Sequence, residues 1–452
     1  MRHLTAIALL LAMSAPLPAE EDAQTTPSPL DQAFAILHGE ADQPQQDQPS
    51  EADMDIEVVE VFTAENAEEL EAALADGYPP PWLAEILQDE TIPEEDRYWL
   101  DCRIRAHIAR HLHRFYDREG NTVNMEAEWI VAGEHYWQEH LMVNPIGEDY
   151  GFGQAPEHLP DFTGEPGTIV DLYGEQVGEM ALTQRGILLS RDATLGILKT
   201  GPGDVMSPLA PNYVCLLYPD GSFREVEVDL VRDWAHVDVS WDGELVVACT
   251  TDPLLDRANG QALLFDRQGN LLHSTEIGGF PSARPAISPD NRYVAIPLES
   301  NPTNCLVILD ADTGELLRRF QDQWINMVTF SPSGSFLGSA SVSHGVSLME
   351  MTDVPDQWDL QMVSESSEEL SYAGISLCND ASLRSVFSLT RRPRYPFFSL
   401  LTVNGEEVYR TQASNLDLSP NGEFGVSFNT RRANPTDYEP SLVEIVSLRE
   451  RG

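Results

Sequence analysis

Positive charge is what this sequence lacks most. Its 27 lysine and arginine residues stand against 74 aspartate and glutamate residues, which gives a formal net charge of −47, and Lys199 is the only lysine. A surface of this charge repels the phosphates of nucleic acids and the headgroups of anionic membranes. We therefore expect no nucleic-acid partner.

Cysteine is also scarce. The five cysteines are Cys102, Cys215, Cys249, Cys305 and Cys378, and no two of them lie close together in the sequence. An exported protein that depends on disulfides normally carries an even, clustered set. The pattern predicts buried free thiols that pack as small hydrophobic side chains.

Long apolar runs are confined to the N-terminus. The run from Leu4 to Ala15 is too short to cross a bilayer, follows Arg2 and His3, and precedes a small-residue cleavage site after Ala19. We interpret residues 1–19 as a secretory signal peptide. A secreted or periplasmic protein with no membrane span is expected, and because no cysteine follows the cleavage site, no lipid anchor is expected.

A repeat is the strongest signal that the sequence does contain. An apolar residue, a serine, a short polar turn and an alternating apolar run recur six times. The marker serines are Ser190, Ser240, Ser288, Ser331, Ser376 and Ser419, separated by 43 to 50 residues. This spacing is close to one four-stranded propeller blade, and Asp-Gly or Asn-Gly turns indicate tight hairpins. A second hairpin follows each, so we predict a mainly β protein, a six-bladed β-propeller with seven blades as the alternative, and an N-terminal α-helical region.

The two ends of the repeat region suggest how the ring closes. A hairpin of the outer type begins at Thr168, before any inner hairpin, whereas the last segment, SLVEIVSL, has no outer partner after it. We predict that the N-terminal hairpin at Thr168 supplies the strand that completes the last blade. Closure of this kind removes an exposed sheet edge.

Two segments resemble known propeller families. SPDNRYVAI from Ser288 and LDADTGELLRRF from Leu309 are similar to the repeats of WD-repeat and YVTN-type propellers, and the resemblance covers about residues 168–449. The Gly-His and Trp-Asp signatures of WD repeats are missing, so the resemblance does not imply their hydrogen-bond network. It implies a propeller fold and no particular function.

The N-terminal third has a different composition. Residues 20–55 are acidic and rich in glutamine and proline, which predicts a disordered linker. Residues 56–147 form a predicted helical region, 148–167 a second linker, and 168–452 the propeller. Helix-spaced apolar residues occupy Ala67–Ala75 and Trp82–Leu87, and a capping box at Thr91–Glu94 opens a helix that is expected to run to Gly120.

That long helix carries several histidines and arginines. His107 and His111 lie four residues apart and share a face, as in a two-histidine zinc clamp to which His135 or His140 could add a ligand. No HExxH glutamate follows His107, and the arginines would repel a cation. These are Arg103, Arg105, Arg110 and Arg114. The favoured interpretation is a basic face that docks against the acidic propeller or tail, with no metal site.

The connections between the second and third strands are long at Thr200, Thr251, Thr390 and Asn429, whereas the hairpin turns at the opposite end are mostly short. Two such loops, in adjacent blades, carry the predicted ligand-binding residues Arg391, Arg392, Arg394, Tyr395, Arg431, Arg432 and Tyr438. Planar, permanently charged donors suit a carboxylate, sulfate or phosphate group, or an acidic partner segment. The alternative is that these arginines only neutralise Asp437, Glu439 or the acidic linker.

Signals for catalysis are weak. The sequence has no Gly-x-Ser-x-Gly elbow and no phosphate-binding glycine loop. The segment LDADTGELL resembles the docking repeat of quinone-dependent propellers but occurs once, and Gly314 stands where a calcium loop needs an oxygen ligand. The inner strands offer only His236, Asp238 and Asp417 as titratable candidates.

We therefore predict no catalytic residue, no metal and no cofactor. The predicted function is that of an extracytoplasmic binding or scaffold protein, whose partner is an unknown protein or an anionic ligand bound at the long-loop face. The alternative is a propeller enzyme, such as a lyase, a hydrolase or a quinoprotein.

Overall fold

The computed structural model describes a defined part of the chain. The described residues are 56–112, 114–123, 129–131, 166–170, 172–181, 188–190, 194–200, 212–228, 236–250, 260–299, 305–321, 325, 327–341, 344–365, 370–390, 396–402, 404–411, 415–428 and 443–450. Residues 54–452 cluster as one compact unit.

The described chain begins with one strand and three helices. These are β1 (Ile56–Ala64), α1 (Ala67–Ala73), α2 (Pro81–Gln88) and α3 (Glu94–Leu112). The side chain of Asn66 caps α1 by accepting a hydrogen bond from the Glu69 amide (3.0 Å), and Pro81 opens α2 at the first helical position, where its missing N–H is not needed. The helices predicted at Ala67 and Trp82 are confirmed.

The long helix is shorter than expected. It ends at Leu112, and Phe115 and Tyr116 belong instead to a small hairpin, β2 (Phe115–Tyr116) and β3 (Thr122–Val123). Its turn contains Gly120 at a φ of +84°, and a Cβ on this residue would lie 2.2 Å from the Tyr78 carbonyl oxygen. Only glycine fits there, so Gly120 marks the hairpin turn rather than the helix end.

The remaining strands form sheets in the order of the sequence. Sheet A contains β4 (Trp129–Val131), β5 (Pro166–Val170) and β6 (Gln176–Ala181). Sheet B contains β7 (Leu188–Leu189), β8 (Gly196–Thr200), β9 (Asn212–Leu217) and β10 (Phe223–Val228). Sheet C contains β11 (His236–Val239), β12 (Leu245–Thr250), β13 (Gln261–Asp266) and β14 (Leu271–Glu276).

Sheet D contains β15 (Phe280–Pro281), β16 (Ala286–Ile287), β17 (Tyr293–Glu299), β18 (Cys305–Asp310) and β19 (Leu316–Gln321). Sheet E contains β20 (Met327–Phe330), β21 (Phe336–Ser341), β22 (Gly345–Glu350) and β23 (Gln361–Glu365), with a short 3-10 helix at Pro355–Gln357. Sheet F contains β24 (Leu370–Leu377), β25 (Leu383–Thr390), β26 (Pro396–Thr402) and β27 (Glu407–Thr411). Sheet G contains β28 (Asn415–Leu418), β29 (Phe424–Phe428), β30 (Val443–Glu450) and β1.

The arrangement of these sheets is that of a β-propeller. The first strands of consecutive sheets contact one another in the order β7, β11, β16, β20, β24 and β28, where β16 of sheet D follows the two-residue strand β15. Within each of sheets B to G the neighbours are antiparallel. Apolar side chains of adjacent sheets share buried clusters, as Val247 of sheet C and Val294 of sheet D do. The fold class is therefore the predicted one, and the blade number of six or seven stays a prediction.

The marker serine is explained by the hairpin turn that it stabilises. The Oγ of Ser240 accepts a hydrogen bond from the Leu245 amide (2.9 Å) and donates one to Asp242 (2.7 Å), while Gly243 turns the chain at a φ of +68°. The other marker positions repeat the first bond. They are Ser190, Ser288, Ser331 and Ser419. The serine therefore replaces water as the partner of a buried amide inside each turn.

In one sheet the marker serine of the sequence repeat is not the turn residue. In sheet F the turn residue is Cys378, whose Sγ accepts from the Leu383 amide (3.3 Å) and donates to Asp380 (3.1 Å), whereas Ser376 lies two residues earlier within β24. A thiol can take the place of a hydroxyl here because sulfur is a weak donor and acceptor of similar reach. All five cysteines are free and buried, as predicted.

The ring is closed by a different segment from the one predicted. Strand β1 pairs antiparallel with β30, from Ile56 opposite Glu450 to Ala64 opposite Val443. The hairpin at Thr168 instead forms β5 and β6, which pair with each other and with β4. An N-terminal strand does complete the last sheet, but it is supplied by the start of the predicted helical region, whose alternating IEVVEVFT pattern is that of a strand.

Helix α3 packs against sheet G on one side and against the turn of sheet A on the other. Trp99 and Ile104 share a buried cluster with Phe424 of β29, whereas Cys102 lies in a cluster with Leu172 of the β5–β6 turn. None of the described helices is long and apolar enough to cross a membrane.

The arginines of α3 explain its position. Arg103, which is 2% exposed, forms an ion pair of 3.0 Å with Asp417 of the inner strand β28. Arg105 points to the other side, where it donates to Asp101 (3.0 Å) and the Tyr116 carbonyl (2.6 Å) and stacks on the Tyr173 ring at 4.6 Å. The predicted docking of a basic helix face against the propeller is confirmed at Arg103.

The first turn of α3 contacts sheet G through a carboxylate. Asp96 is fully buried, and its Oδ1 accepts a hydrogen bond from the Asn421 amide (2.9 Å) in the β28–β29 turn. Burial, together with the like charge of Glu423, raises the pKa of Asp96 to about 6, although hydrogen bonds from the Asn421 and Glu423 backbone oppose this rise.

We expect replacement of Arg103 by methionine to lower the free energy of unfolding by about 3–5 kcal/mol, because the buried Asp417 carboxylate would lose its guanidinium. The double variant R103M/D417N should lose less than the sum of the two single variants. Denaturant unfolding measures all three. R318M serves as the control, because Arg318 forms an exposed pair with Asp356 (3.7 Å), and the buried-pair interpretation is wrong if R103M and R318M cost the same.

We expect the pH dependence of stability to carry the titration of Asp96. Because its folded pKa is raised to about 6 from 3.8, the folded state binds the proton more tightly, and stability should rise as the pH falls from about 6 towards 4. D96N keeps the acceptor oxygen without the charge. It should therefore be more stable than the wild type at neutral pH, by roughly 1–3 kcal/mol, with a difference that vanishes near pH ~4. A pH-independent difference in denaturant unfolding would contradict this assignment.

Candidate functional site

The long connections lie at one end of the sheets. Antiparallel order places the first and third turns of each sheet at one end and the connection between the second and third strands at the other. These connections span residues 201–211 in sheet B, 251–260 in sheet C, 391–395 in sheet F and 429–442 in sheet G. The opposite end has the serine-stabilised first turns, and one long connection, residues 351–360 between β22 and β23, also lies there.

All seven predicted ligand-binding residues lie outside the described residues. Arg391, Arg392, Arg394 and Tyr395 belong to the connection between β25 and β26, and Arg431, Arg432 and Tyr438 belong to the connection between β29 and β30. What the structure describes is the base of both loops, where the chain enters and leaves sheets F and G.

A carboxylate links the strand ends from which these two loops begin. Glu444, the second residue of β30, accepts hydrogen bonds from Thr411 Oγ1 of β27 (3.2 Å) and from Ser427 Oγ of β29 (3.2 Å). Tyr409 of β27 also hydrogen-bonds Glu444, and burial together with this carboxylate raises the pKa of Tyr409. Glu444 therefore links sheet F to sheet G at the end where both loops begin.

The position of this link is fixed by strand register. Thr411 lies opposite Phe398, the third residue after the 391–395 loop, and Glu444 lies opposite Ser427, just before the 429–442 loop. Strand residues advance about 3.3 Å each, so the linked groups lie within a few residues of both loop ends. The link keeps the two loop bases adjacent.

The acidic residues predicted on the inner strands have arginine partners. Asp238 of β11 is 4% exposed, pairs with Arg284 from the segment between β15 and β16, and also accepts from the Ile287 amide (3.2 Å). Asp417 pairs with Arg103, as described above. Each pair joins one inner strand to another element, so both carboxylates act as structural ties. His236 is half-buried at the start of β11.

The metal hypothesis involves His107, which is buried in α3. The side chain of His111 and the residues His135 and His140 lie outside the described part of the chain. Among the residues that the structure describes, no group of three or more His, Cys, Asp or Glu side chains is arranged to hold a metal ion.

A cavity of about 520 Å³ lies at the tight-turn end, between the α2–α3 connection and the turns of sheets F and G. Its described lining includes the carboxyl-bearing residues Asp89, Asp380 and Glu423, and none of these lining residues is basic. Acidic walls repel an anion. The cavity is therefore unsuited to the ligand class predicted for the opposite face.

Sequence reasoning missed Glu444. A carboxylate within the alternating strand SLVEIVSL was a usable signal, because a half-buried acidic residue in such a strand needs hydrogen-bond donors from a neighbouring element. The identity of its partners could not be read from the sequence, since Thr411 and Glu444 are 33 residues apart.

We expect Glu444→Ala to lower the free energy of unfolding by about 1–3 kcal/mol, because the Thr411 and Ser427 hydroxyls lose a charged acceptor. Denaturant unfolding of E444A, T411V and the double variant would measure the coupling between Glu444 and Thr411. Additive effects would contradict a direct link between sheets F and G.

Comparison with known proteins gives no family. No family model and no curated protein matches the sequence. Among solved structures, hydrazine synthase from Kuenenia stuttgartiensis aligns with a TM-score of 0.42 and 13% identity, covering 74% of this chain and 98% of the other. TolB from Acinetobacter baumannii aligns with a TM-score of 0.35 and 14% identity over 57% of this chain and 64% of TolB. An oligogalacturonate lyase in complex with manganese aligns with a TM-score of 0.35 and 12% identity, over 54% of this chain and 69% of the lyase. Scores and identities this low carry no conclusion about function, so the fold assignment rests on the chain's own sheets.

Proposed function

We propose that this protein is an exported binding or scaffold protein that recognises an anionic ligand, or an acidic segment of a partner protein, at its long-loop face. The proposed contacts are Arg391, Arg392, Arg394, Tyr395, Arg431, Arg432 and Tyr438. Export to a secreted or periplasmic location, through a signal peptide in residues 1–19, and similarity to WD-repeat or YVTN-type propellers are parts of the same proposal.

The link through Glu444 is the observation that carries the proposal. It ties together the described strand ends from which the two arginine-rich loops begin, and it does so with buried or half-buried polar groups. Binding sites commonly consist of loops on a rigid scaffold, because a fixed base lowers the entropy lost when the ligand binds.

Charge supports the choice of an anionic ligand. In a chain of net charge −47, five arginines within these two loops are a local exception. A guanidinium group donates in a planar fork that matches carboxylate and sulfate oxygens. The described lining of the cavity at the tight-turn end is instead acidic, with Asp89, Asp380 and Glu423 and no basic residue.

A propeller enzyme is the alternative function. General acid-base catalysis needs a carboxyl group or histidine free to exchange a proton with substrate. Asp238 and Asp417, the inner-strand acids, are instead engaged by Arg284 and Arg103. This engagement favours binding over catalysis, and turnover of a bound glycan or peptide would favour the enzyme.

The test compares two triple variants that remove the same charge. In R391A/R392A/R431A the loop arginines are lost, whereas R224A/R292A/R318A removes arginines from the turn side and the outer strands. Binding is measured by surface plasmon resonance on dextran sulfate, carboxymethyl-dextran and polyglutamate, with neutral dextran as the blank, at about 0.15 M salt, where long-range charge effects are screened.

We expect the loop variant to bind at least about tenfold more weakly to one or more of the anionic probes, because charge-assisted hydrogen bonds contribute about 1.5–3 kcal/mol each. The control variant should bind within about twofold of the wild type. Equal binding by both variants across the panel would rule out the arginine loops as the site.

A further inference from the structure

A cavity of about 580 Å³ lies between α1 and the β2–β3 hairpin, in the helical part of the chain. Its wall carries charges of both signs. Glu68 and Glu71 of α1 line it, and so does Arg114, which lies directly before β2. The cavity at the tight-turn end is lined by described carboxylates without a basic residue, so the two cavities suit ligands of different charge.

The guanidinium of Arg114 keeps donors for a ligand. Its side chain is 31% exposed, and it donates to Glu71 through Nη2 (2.7 Å) and to the Tyr116 hydroxyl through Nη1 (3.4 Å). A guanidinium carries more N–H donors than these two contacts use, and the others donate to no residue that the structure describes. Because Glu71 is itself 58% exposed, its pair with Arg114 is weak, and a second carboxylate can bind to the same guanidinium.

The hydroxyl of Tyr116 is a buried donor at the same wall. Tyr116 is only 3% exposed and lines the cavity. Its ring stacks on Tyr78 (5.1 Å between centroids), and its carbonyl accepts from Arg105 (2.6 Å), so both ring and backbone are held in place. The hydroxyl accepts from Arg114, but its own proton goes to no residue in the described part of the chain. A ligand oxygen would supply the acceptor that a buried hydroxyl requires.

Apolar and open surface completes the cavity. Ala72 and Ala75 are exposed at its wall, and Leu74 lines it as a buried side chain. Gly77 also lines it, and a Cβ at this residue would have no atom within 4 Å. The cavity therefore has room for an apolar group beside its charged groups, and its volume lies in the usual range for small ligands, roughly 300–1,000 Å³.

We propose that this cavity binds a free α-amino acid with an apolar side chain. The ligand carboxylate accepts from Arg114 and from the Tyr116 hydroxyl, and the ligand ammonium donates to Glu68 and Glu71. The ligand side chain lies against the apolar wall. This site shares no residue with the long-loop face, so the inference goes beyond the proposed function and does not depend on it.

The charges of the wall select a zwitterion. A ligand with only a carboxylate would be repelled by Glu68 and Glu71, and a ligand with only an ammonium would be repelled by Arg114 and would leave the Tyr116 proton without an acceptor. A ligand that carries both groups on one carbon complements both sides of the wall. The α-amino acids are the small molecules with this arrangement.

Three variants test separate parts of the site. R114Q removes the guanidinium, Y116F removes the hydroxyl and leaves the ring stack, and A75W fills the cavity from an exposed wall residue. R318Q is the matched control, because Arg318 is 37% exposed and pairs with an exposed carboxylate (3.7 Å), as Arg114 does. Thermal unfolding verifies that each variant is folded.

Binding to the full chain is measured by isothermal titration calorimetry with L-leucine, L-methionine and L-phenylalanine. The N-acetyl derivative and the methyl ester of each lack the ammonium and the carboxylate, respectively. We expect the wild type to bind at least one of the three amino acids, and to bind its two derivatives at least about tenfold more weakly, because each derivative lacks a charge-assisted contact.

R114Q, Y116F and A75W should also bind that amino acid at least about tenfold more weakly, whereas R318Q should bind within about twofold of the wild type. If the wild type binds none of the three amino acids, the inference is wrong. Equal binding of an N-acetyl derivative or of a methyl ester would overturn the zwitterionic ligand. Full binding by A75W or by Y116F would exclude this cavity as the site, and a loss in R318Q as large as in R114Q would do the same.

Discussion

The structure depends on how its ring of sheets is closed. Each sheet packs on the next, so the first and last sheets would expose their faces and an unpaired edge if nothing joined them. Two elements from the start of the described chain meet this need. Strand β1 covers the edge of β30, and α3 packs between sheet G and the turn of sheet A, where Arg103 meets the inner-strand carboxylate of Asp417. Because a buried charge pair is costly unless both members are present, this contact specifies one docking position for the helix.

A second layer of contacts joins the turns of neighbouring sheets. Asn291 donates to Asp242 (2.7 Å), Ser333 donates to the Asn379 carbonyl (2.7 Å), and the Asn379 amide donates to the Pro420 carbonyl (2.6 Å). The Asn421 amide then donates to Asp96, so the series of contacts continues from sheet G into α3. The helix thus takes the place that the turn of another sheet would occupy in the ring.

Local sequence patterns predict most of the fold, but they do not predict which strands pair when those strands are far apart in the sequence. Period-two alternation and Asp-Gly turns identify almost every hairpin, because strand and turn geometry depend on neighbouring residues. The partner of β30 could not be identified in this way, since β1 and the Thr168 hairpin both alternate and a strand edge accepts either. The turn role of Cys378 is not evident from the sequence, because the repeat is defined by its serine residues and not by the geometry of the turn. At the candidate site, the loops are visible in the sequence as arginine clusters, whereas the role of Glu444 depends on contacts between strands that are far apart in the sequence.

Closure by β1 also constrains when the protein can fold. Ile56 pairs with Glu450, so the contact that completes the ring joins residues almost four hundred positions apart. Contacts between residues so far apart in the sequence form late and slow the folding of a domain. During synthesis the earlier sheets can assemble one after another, but the edge of the last sheet can only be covered after β30 has left the ribosome.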